Sequence, residues 1–181
     1  SWVEIQMLDE ERKLNINTAS ATQLDLLIHS PVLAQAIVEY RDPDSDGPAD
    51  SSIETPPYYY PKNAPIAALE ELRALPDMTD DVFSKLQEFT YGIPGAEQPL
   101  MANINTASRE VLQAVGLMTL AERIVAFREE GHYFTKLHPT VESDVPFEPS
   151  ADLEFQTVLN ANSLTVASQV FLVKATGHVA A

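Results

Sequence analysis

The sequence contains no cysteine, few basic residues and no long apolar run. Without cysteine, disulfide frameworks, thiolate zinc sites and cysteine nucleophiles are all excluded. Only 11 Lys and Arg residues stand against 27 Asp and Glu, so the formal net charge is -16. A chain this acidic repels phosphate and lacks the cations that displace counterions from nucleic acid. Nucleic acids and anionic membrane surfaces are therefore poor partners, whereas calcium and other cations suit the chain better.

No stretch approaches the roughly 18 consecutive apolar residues of a membrane-spanning helix, and no signal peptide is present. Hydrophobic residues still make up 45% of the 181 residues, which is enough for a packed core. No Gly-x-Ser-x-Gly, P-loop or HExxH motif occurs. The histidines are scattered without metal-ligand spacing, at His29, His132, His138 and His178. The sequence therefore predicts a globular protein that is not an enzyme.

Strand-like segments lie at the two ends of the chain. Residues 2–8 and 13–17 are short extended-type runs separated by a charged turn, which predicts a hairpin. Residues 164–173 are rich in β-branched and aromatic side chains, which predicts a strand with residues 154–159 as its partner. The pattern in between is helical. We therefore predict an α+β fold, with a sheet part from residues 1–17 and 151–181 and a helical part over residues 18–150.

The middle of the chain contains an internal repeat. The hexapeptide NINTAS occupies residues 15–20 and again residues 103–108, and the block 34–41 recurs as 121–128. Asn and Thr ahead of a periodic apolar run predict helix caps worth about 1 kcal/mol each, because their oxygens accept orphan backbone N–H groups. Each copy thus predicts a helical hairpin.

The apolar residues of the two copies follow helical spacing, and a third, partial copy is recognisable. Residues 72–79 align with residues 112–119, so that three hairpins are expected near residues 15–41, 67–90 and 103–130. The positions expected to face the core in the two full copies are Leu24, Leu27, Ile37, Tyr40, Leu112, Val115, Ile124 and Phe127.

A hexapeptide followed by such a hairpin is typical of helix-hairpin-helix modules. Nucleic-acid binding or DNA uptake is therefore the alternative to a purely structural role. Those modules hold phosphate with bare backbone N–H groups in a Gly-hydrophobic-Gly turn. Here the first turn contains Pro31, which has no N–H, and the third retains only Gly116. The second turn carries the carboxylates of Asp77, Asp80 and Asp81. Together with the negative charge, these turns predict hairpins that act as scaffolding.

An acidic loop over residues 42–61 follows the first hairpin and contains the pattern Asp-x-Asp-x-Asp-Gly. Alternating carboxylates present several hard oxygens to one cation, and Gly47 permits the sharp turn seen in EF-hand loops. The prolines that follow disfavour an exiting EF-hand helix. The pattern predicts a calcium site with an affinity of about 10⁻⁴–10⁻³ M, and a solvated loop without a cation is the alternative. The candidate ligands are Asp42, Asp44, Asp46, Asp50 and Glu54.

With these parts in place, the sequence resembles the K-type minor pseudopilins of type II secretion (general secretion pathway protein K). The order of the matching segments is more specific than any one of them, and they span nearly the whole chain. Arg41, directly before Asp42, is a departure from the family pattern. The matching segments are residues 9–17 (DEERKLNIN), 37–44 (IVEYRDPD), 62–65 (KNAP), 69–72 (LEEL), 103–108 (NINTAS) and 167–171 (ASQVF).

The resemblance implies a pseudopilin-type antiparallel sheet from both chain ends, an inserted domain of helix-hairpin-helix or SAM-like repeats, and a calcium-stabilised loop. It also implies a place at the tip of the pseudopilus, where the protein helps to initiate assembly for export of folded proteins across the outer membrane. The implied partners are the I- and J-type minor pseudopilins, with the H type and the major pseudopilin as further candidates. The family's apolar N-terminal helix has no counterpart in the sequence, so the resemblance implies a periplasmic part whose inner-membrane anchor lies upstream.

Overall fold

The computed structural model describes residues 1–43, 62–93, 101–137, 145–147 and 151–179. Its strands are β1 (Trp2–Asp9), β2 (Leu14–Asn15), β3 (Thr90–Tyr91), β4 (Ala102–Asn103), β5 (Leu164–Thr165) and β6 (Phe171–His178). Its α-helices are α1 (Ala21–Ile28), α2 (Pro31–Arg41), α3 (Asp80–Phe89), α4 (Arg109–Ala114), α5 (Ala121–Glu129) and α6 (Leu153–Asn160), and a 3₁₀ helix covers Leu69–Ala74. This mixture of helices and short strands confirms the predicted α+β class.

The first and last strands form an antiparallel ribbon. The register of β1 and β6 runs from Trp2 opposite His178 to Asp9 opposite Phe171. The prediction of a sheet built from both chain ends is therefore confirmed. The predicted hairpin between residues 2–8 and 13–17 is wrong, because β2 turns into the core, where Leu14 is 6% exposed, and pairs in parallel with β3.

Two assignments near the C-terminus also differ from the prediction. Residues 164–173 contain two separate strands, β5 and the start of β6, and β5 pairs in parallel with β4. The expected partner strand at residues 154–159 is helix α6, capped by the Asp152 carboxylate, which accepts the Phe155 N–H at 3.0 Å. Phe155, Val158 and Leu159 are buried at helical spacing, and this periodicity outweighs the β-branched composition.

The helical pairs occur where the repeat predicts them. Helices α1 and α2 are separated by His29 and Ser30, and α4 and α5 by residues 115–120. The 3₁₀ helix and α3 occupy the third, partial copy. All eight apolar positions expected to face the core are less than 10% exposed and belong to one hydrophobic cluster. The division into a sheet part and an inserted domain remains a prediction.

The NINTAS hexapeptide caps its helix differently from the prediction. The N-caps are Ser20 and Ser108, whose hydroxyls accept N–H groups from the first turns of α1 and α4. The first Asn of each copy instead folds the turn, because the Oδ1 atom accepts the N–H two residues later, at 3.0 Å for Asn15 and 2.9 Å for Asn103. The hexapeptide is therefore a strand end, an Asx turn and a helix cap in one unit.

The second Asn of each copy holds a distant segment of the chain. The Asn17 side chain accepts the Ile66 N–H at 2.7 Å and donates to the Ile66 carbonyl at 3.0 Å. Asn105 makes the same pair of hydrogen bonds with Phe134, at 2.7 and 2.9 Å. In each repeat, the Asn side-chain amide thus forms the same two hydrogen bonds with a distant backbone residue that a neighbouring strand would form. None of the described helices is long and apolar enough to cross a membrane.

Candidate functional site

The two ends of the acidic loop lie side by side. Asp42 is the C-cap of α2, and its N–H donates to the Val38 carbonyl at 3.1 Å. On the other side of the loop, the Asn63 N–H donates to the Tyr40 carbonyl at 3.0 Å. A loop with joined ends has less conformational freedom to lose when it becomes ordered. Asp42 is thus located at the loop base, and the other candidate ligands lie outside the described residues, namely Asp44, Asp46, Asp50 and Glu54.

Glu71 fixes the returning end of the loop. Its Oε2 atom accepts from the Lys62 ammonium at 2.6 Å and from the Tyr40 hydroxyl at 3.4 Å. Its Oε1 atom accepts the N–H groups of Ala67 and Ala68, both at 3.1 Å. The hydrogen bond from Lys62 holds the pKa of Glu71 below its ordinary value, with help from these backbone bonds. No spacing pattern in the sequence indicates this role, since Lys62 and Glu71 belong to no common motif.

Arg41 connects the loop base to the first hexapeptide. Its guanidinium donates to the carbonyls of Ile16 and Ala19, inside the first NINTAS turn. Arg128, at the same place in the second repeat, donates to two turn carbonyls there, at 2.9 and 2.8 Å. Burial lowers the pKa of Arg41 to about 10 while neighbouring Asp42 raises it, so the group is charged at neutral pH. Arg41 thus has a structural role, because it holds the end of α2 against the turn of the first hexapeptide.

The position where a helix-hairpin-helix turn would hold phosphate is occupied by the protein's own side chains. Ser30 and Thr79 cap the helices that follow the first two turns. Before α5, the Glu154 carboxylate accepts the N–H groups of Thr119 at 3.0 Å and Leu120 at 3.2 Å, as well as the Thr119 hydroxyl at 2.9 Å. A carboxylate on these donors repels a second anion. The nucleic-acid alternative therefore gains no support from these turns.

The β1–β6 ribbon has an apolar face and a more polar face, because successive strand residues point to opposite sides. The more polar face carries Glu4, Gln6 and Lys174 as well as Trp2 and Leu172. On this face the Trp2 ring stacks on His178 with centroids 3.8 Å apart. The apolar face is open to solvent, with exposed fractions between 46% and 65%. Contiguous exposed apolar side chains mark an interaction surface. This apolar face of the ribbon consists of Val3, Ile5, Met7, Phe171 and Val173.

The histidines of the described segments lie in separate local environments. His29 adopts the left-handed C-cap conformation of α1, with φ 56°, and His132 stacks on Phe127 with centroids 4.8 Å apart. His138 lies outside the described residues. Within the described ranges, no group of three or more His, Asp or Glu side chains is arranged to hold a metal ion.

Comparison with solved structures gives a match to a chain of a secretion-system complex. No protein-family model matches the sequence, and no curated protein matches it. A chain from the crystal structure of the GspK–GspI–GspJ complex of the enterotoxigenic Escherichia coli type 2 secretion system matches with a TM-score of 0.66 at 20% identity. The match covers 96% of this chain and 68% of the other. The resemblance read from the motifs is thus supported independently, and the fold is that of a GspK-like minor pseudopilin.

Proposed function

We propose that this chain is the periplasmic part of a K-type minor pseudopilin, a non-enzymatic subunit at the tip of the type II secretion pseudopilus. The observation that carries the proposal is the match over 96% of the chain to a component of a GspK–GspI–GspJ complex. The ordered motifs, from DEERKLNIN to ASQVF, are independent support. In this role the protein helps to initiate the pseudopilus that exports folded proteins across the outer membrane.

The proposed partners are the I- and J-type minor pseudopilins, with the H type and the major pseudopilin as further candidates. An apolar helix upstream of Ser1 anchors the protein in the inner membrane in this proposal. The helical part, residues 18–150, serves as an inserted domain of helix-hairpin-helix or SAM-like repeats. Its closed turns and its acidity support scaffolding over nucleic-acid binding, because Glu154 already neutralises the α5 N-terminus.

The apolar face of the ribbon is the surface that we expect to be buried in the assembly. A two-stranded ribbon is only marginally stable in water on its own. Covering its apolar side chains recovers about 25 cal/mol for each Å² removed from water. Ile5 is 65% exposed and Met7 64%, so both have most of their surface still to bury.

Replacing Ile5 with aspartate is expected to weaken binding to the I- and J-type pseudopilin domains at least about tenfold. The substitution removes a buried aliphatic side chain from the interface and adds a charge that has to be desolvated there. The matched control is Gln6→Asp, which lies on the more polar face opposite Lys174 and is expected to bind like the wild type. Isothermal titration calorimetry measures both. Equal affinities for the two variants would show that the apolar face is not the contact.

We further propose that the acidic loop binds calcium as a structural ion. The candidate ligands offer carboxylate oxygens, which is the donor chemistry that calcium prefers. They are Asp42, Asp44, Asp46, Asp50 and Glu54. Calcium, when bound, would neutralise carboxylates that otherwise repel one another. Support also comes from the joined loop ends and from the Lys62–Glu71 ion pair, which fix the base from which the loop starts.

A further inference from the structure

A groove with a basic lining crosses the helical part of the chain. It consists of two adjoining cavities of about 230 and 330 Å³, and both contact Phe89, the last residue of α3. Lys and Arg outnumber Glu in this basic groove, although Asp and Glu outnumber Lys and Arg by 27 to 11 in the whole chain. The charged residues of the lining are Arg12, Lys13, Lys85, Arg109, Glu88 and Glu110.

Two of the four cations have no acidic partner in the described part of the chain. Arg12 is exposed and lines the first cavity, and Lys85 is partly exposed and lines the second. Neither side chain forms an ion pair or a hydrogen bond with a described residue. By contrast, the Lys13 ammonium donates to a backbone carbonyl at 3.0 Å, and the Arg109 guanidinium pairs with two glutamates at 3.2 and 3.1 Å. Each cavity thus contains one accessible, unpaired cation.

Apolar surface accompanies these cations. Phe89 packs against the core but is only partly buried, and Leu26 of α1 is 40% exposed in the second cavity. A single small anion would reach only one of the two cavities and would leave the apolar surface in water. A polyphosphate chain would meet Glu88 and Glu110 in the lining as well as the net charge of -16. A peptide that carries both carboxylates and an apolar side chain fits the lining better than either.

We propose that the basic groove binds a segment of a partner protein in which acidic residues flank an apolar side chain. The apolar side chain packs on Phe89 and Leu26, and the flanking carboxylates pair with Arg12 and Lys85. All four side chains are at least partly accessible, so the segment binds without opening the core. The groove shares no residue with the apolar face of the ribbon or with the candidate calcium ligands. Its failure to bind would therefore leave those two proposals unaffected.

A titration at low ionic strength followed by ¹⁵N NMR tests the proposal, with acetyl-Glu-Glu-Leu-Glu-Glu-amide as the probe. The peptide is expected to shift the backbone amide signals of Lys85 and Phe89 saturably. Two analogues, one with Gln for every Glu and one with Ser for Leu, are expected to bind at least about threefold more weakly. Lys85→Gln is expected to raise the apparent dissociation constant about threefold, because one ion pair is lost. Lys174→Gln makes the same charge change on β6, outside the groove, and is expected to preserve the affinity.

A gain of affinity provides a second test, because misfolding cannot produce it. Glu88 is exposed in the first cavity and makes no ion pair with a described residue, so Glu88→Gln is expected to strengthen binding about twofold. Three results would overturn the inference: no saturable shift at Lys85 and Phe89, equal affinity for the probe and either analogue, or an unchanged affinity in Lys85→Gln. A short oligothymidylate that shifted the same signals at lower concentration than the peptide would reassign the groove to nucleic acid.

Discussion

Replacing Arg128 with methionine is expected to lower the free energy of unfolding by about 3 kcal/mol. The guanidinium donates to the carbonyls of Ile104 and Ala107 at 2.9 and 2.8 Å, and both of those residues are fully buried. Each hydrogen bond to a charged group contributes about 1.5–3 kcal/mol, and methionine retains most of the aliphatic stem. For a chain of this size the loss corresponds to a fall in melting temperature of roughly 6–12 °C.

Urea unfolding followed by circular dichroism measures this effect. Arg41→Met is expected to be similarly costly, because Arg41 donates to the equivalent carbonyls of the first copy. The control is Arg123→Met, since Arg123 is exposed and, within the described ranges, donates only to the Pro146 carbonyl. We expect that change to stay below about 1 kcal/mol. If Arg128→Met lowered the free energy of unfolding no more than Arg123→Met does, a stabilising role for the repeated arginine would be refuted.

Calcium is expected to raise the melting temperature by roughly 5–10 °C relative to a chelator. A ligand at 100 times its dissociation constant adds about 2.7 kcal/mol to the stability of the folded state. With an affinity of about 10⁻⁴ M, about 10 mM calcium reaches that ratio. Each kcal/mol moves the midpoint by about 2–4 °C for a chain of this length.

Differential scanning calorimetry in calcium, in magnesium at matched ionic strength and in chelator separates a specific site from simple screening. Asp44→Asn is expected to abolish most of the calcium shift, whereas Asp25→Asn, on α1 and outside the Asp-x-Asp-x-Asp-Gly pattern, is expected to preserve it. Identical midpoints in calcium and chelator would contradict the proposed site. A shift that survives Asp44→Asn would place the cation elsewhere.

The helices were predictable because their apolar spacing is local and is repeated. Leu24 and Leu112 lie one repeat apart, and both are fully buried. A sheet from both chain ends was predicted from their strand-like composition, but the direct pairing of β1 with β6 was not, since a charged turn after β1 suggested a hairpin. Helix α6 was misassigned because Thr157 and Val158 gave its segment a strand-like composition.

The ligand chemistry of the candidate site could be predicted from the sequence, whereas the residues that hold the neighbouring segments in place could not. Asp42 and the alternating carboxylates that follow can be read directly from the sequence. Glu154 acts through Thr119, 35 residues away. Glu71 acts through Lys62 and Tyr40, 9 and 31 residues away, and no motif in the sequence indicates either set of contacts. Arg41 and Arg128 did leave a signal, because the repeated block ends in arginine in both copies. Only the structure shows that these arginines reach back to the NINTAS carbonyls.

Size-exclusion chromatography with multi-angle light scattering tests the central claim most directly. An equimolar mixture of this chain with I- and J-type pseudopilin domains from the same secretion system would be compared with each component alone. The proposed function predicts one peak whose mass is the sum of the three chains. Three components eluting at their separate masses, at concentrations of tens of micromolar, would contradict a place in the pseudopilus tip.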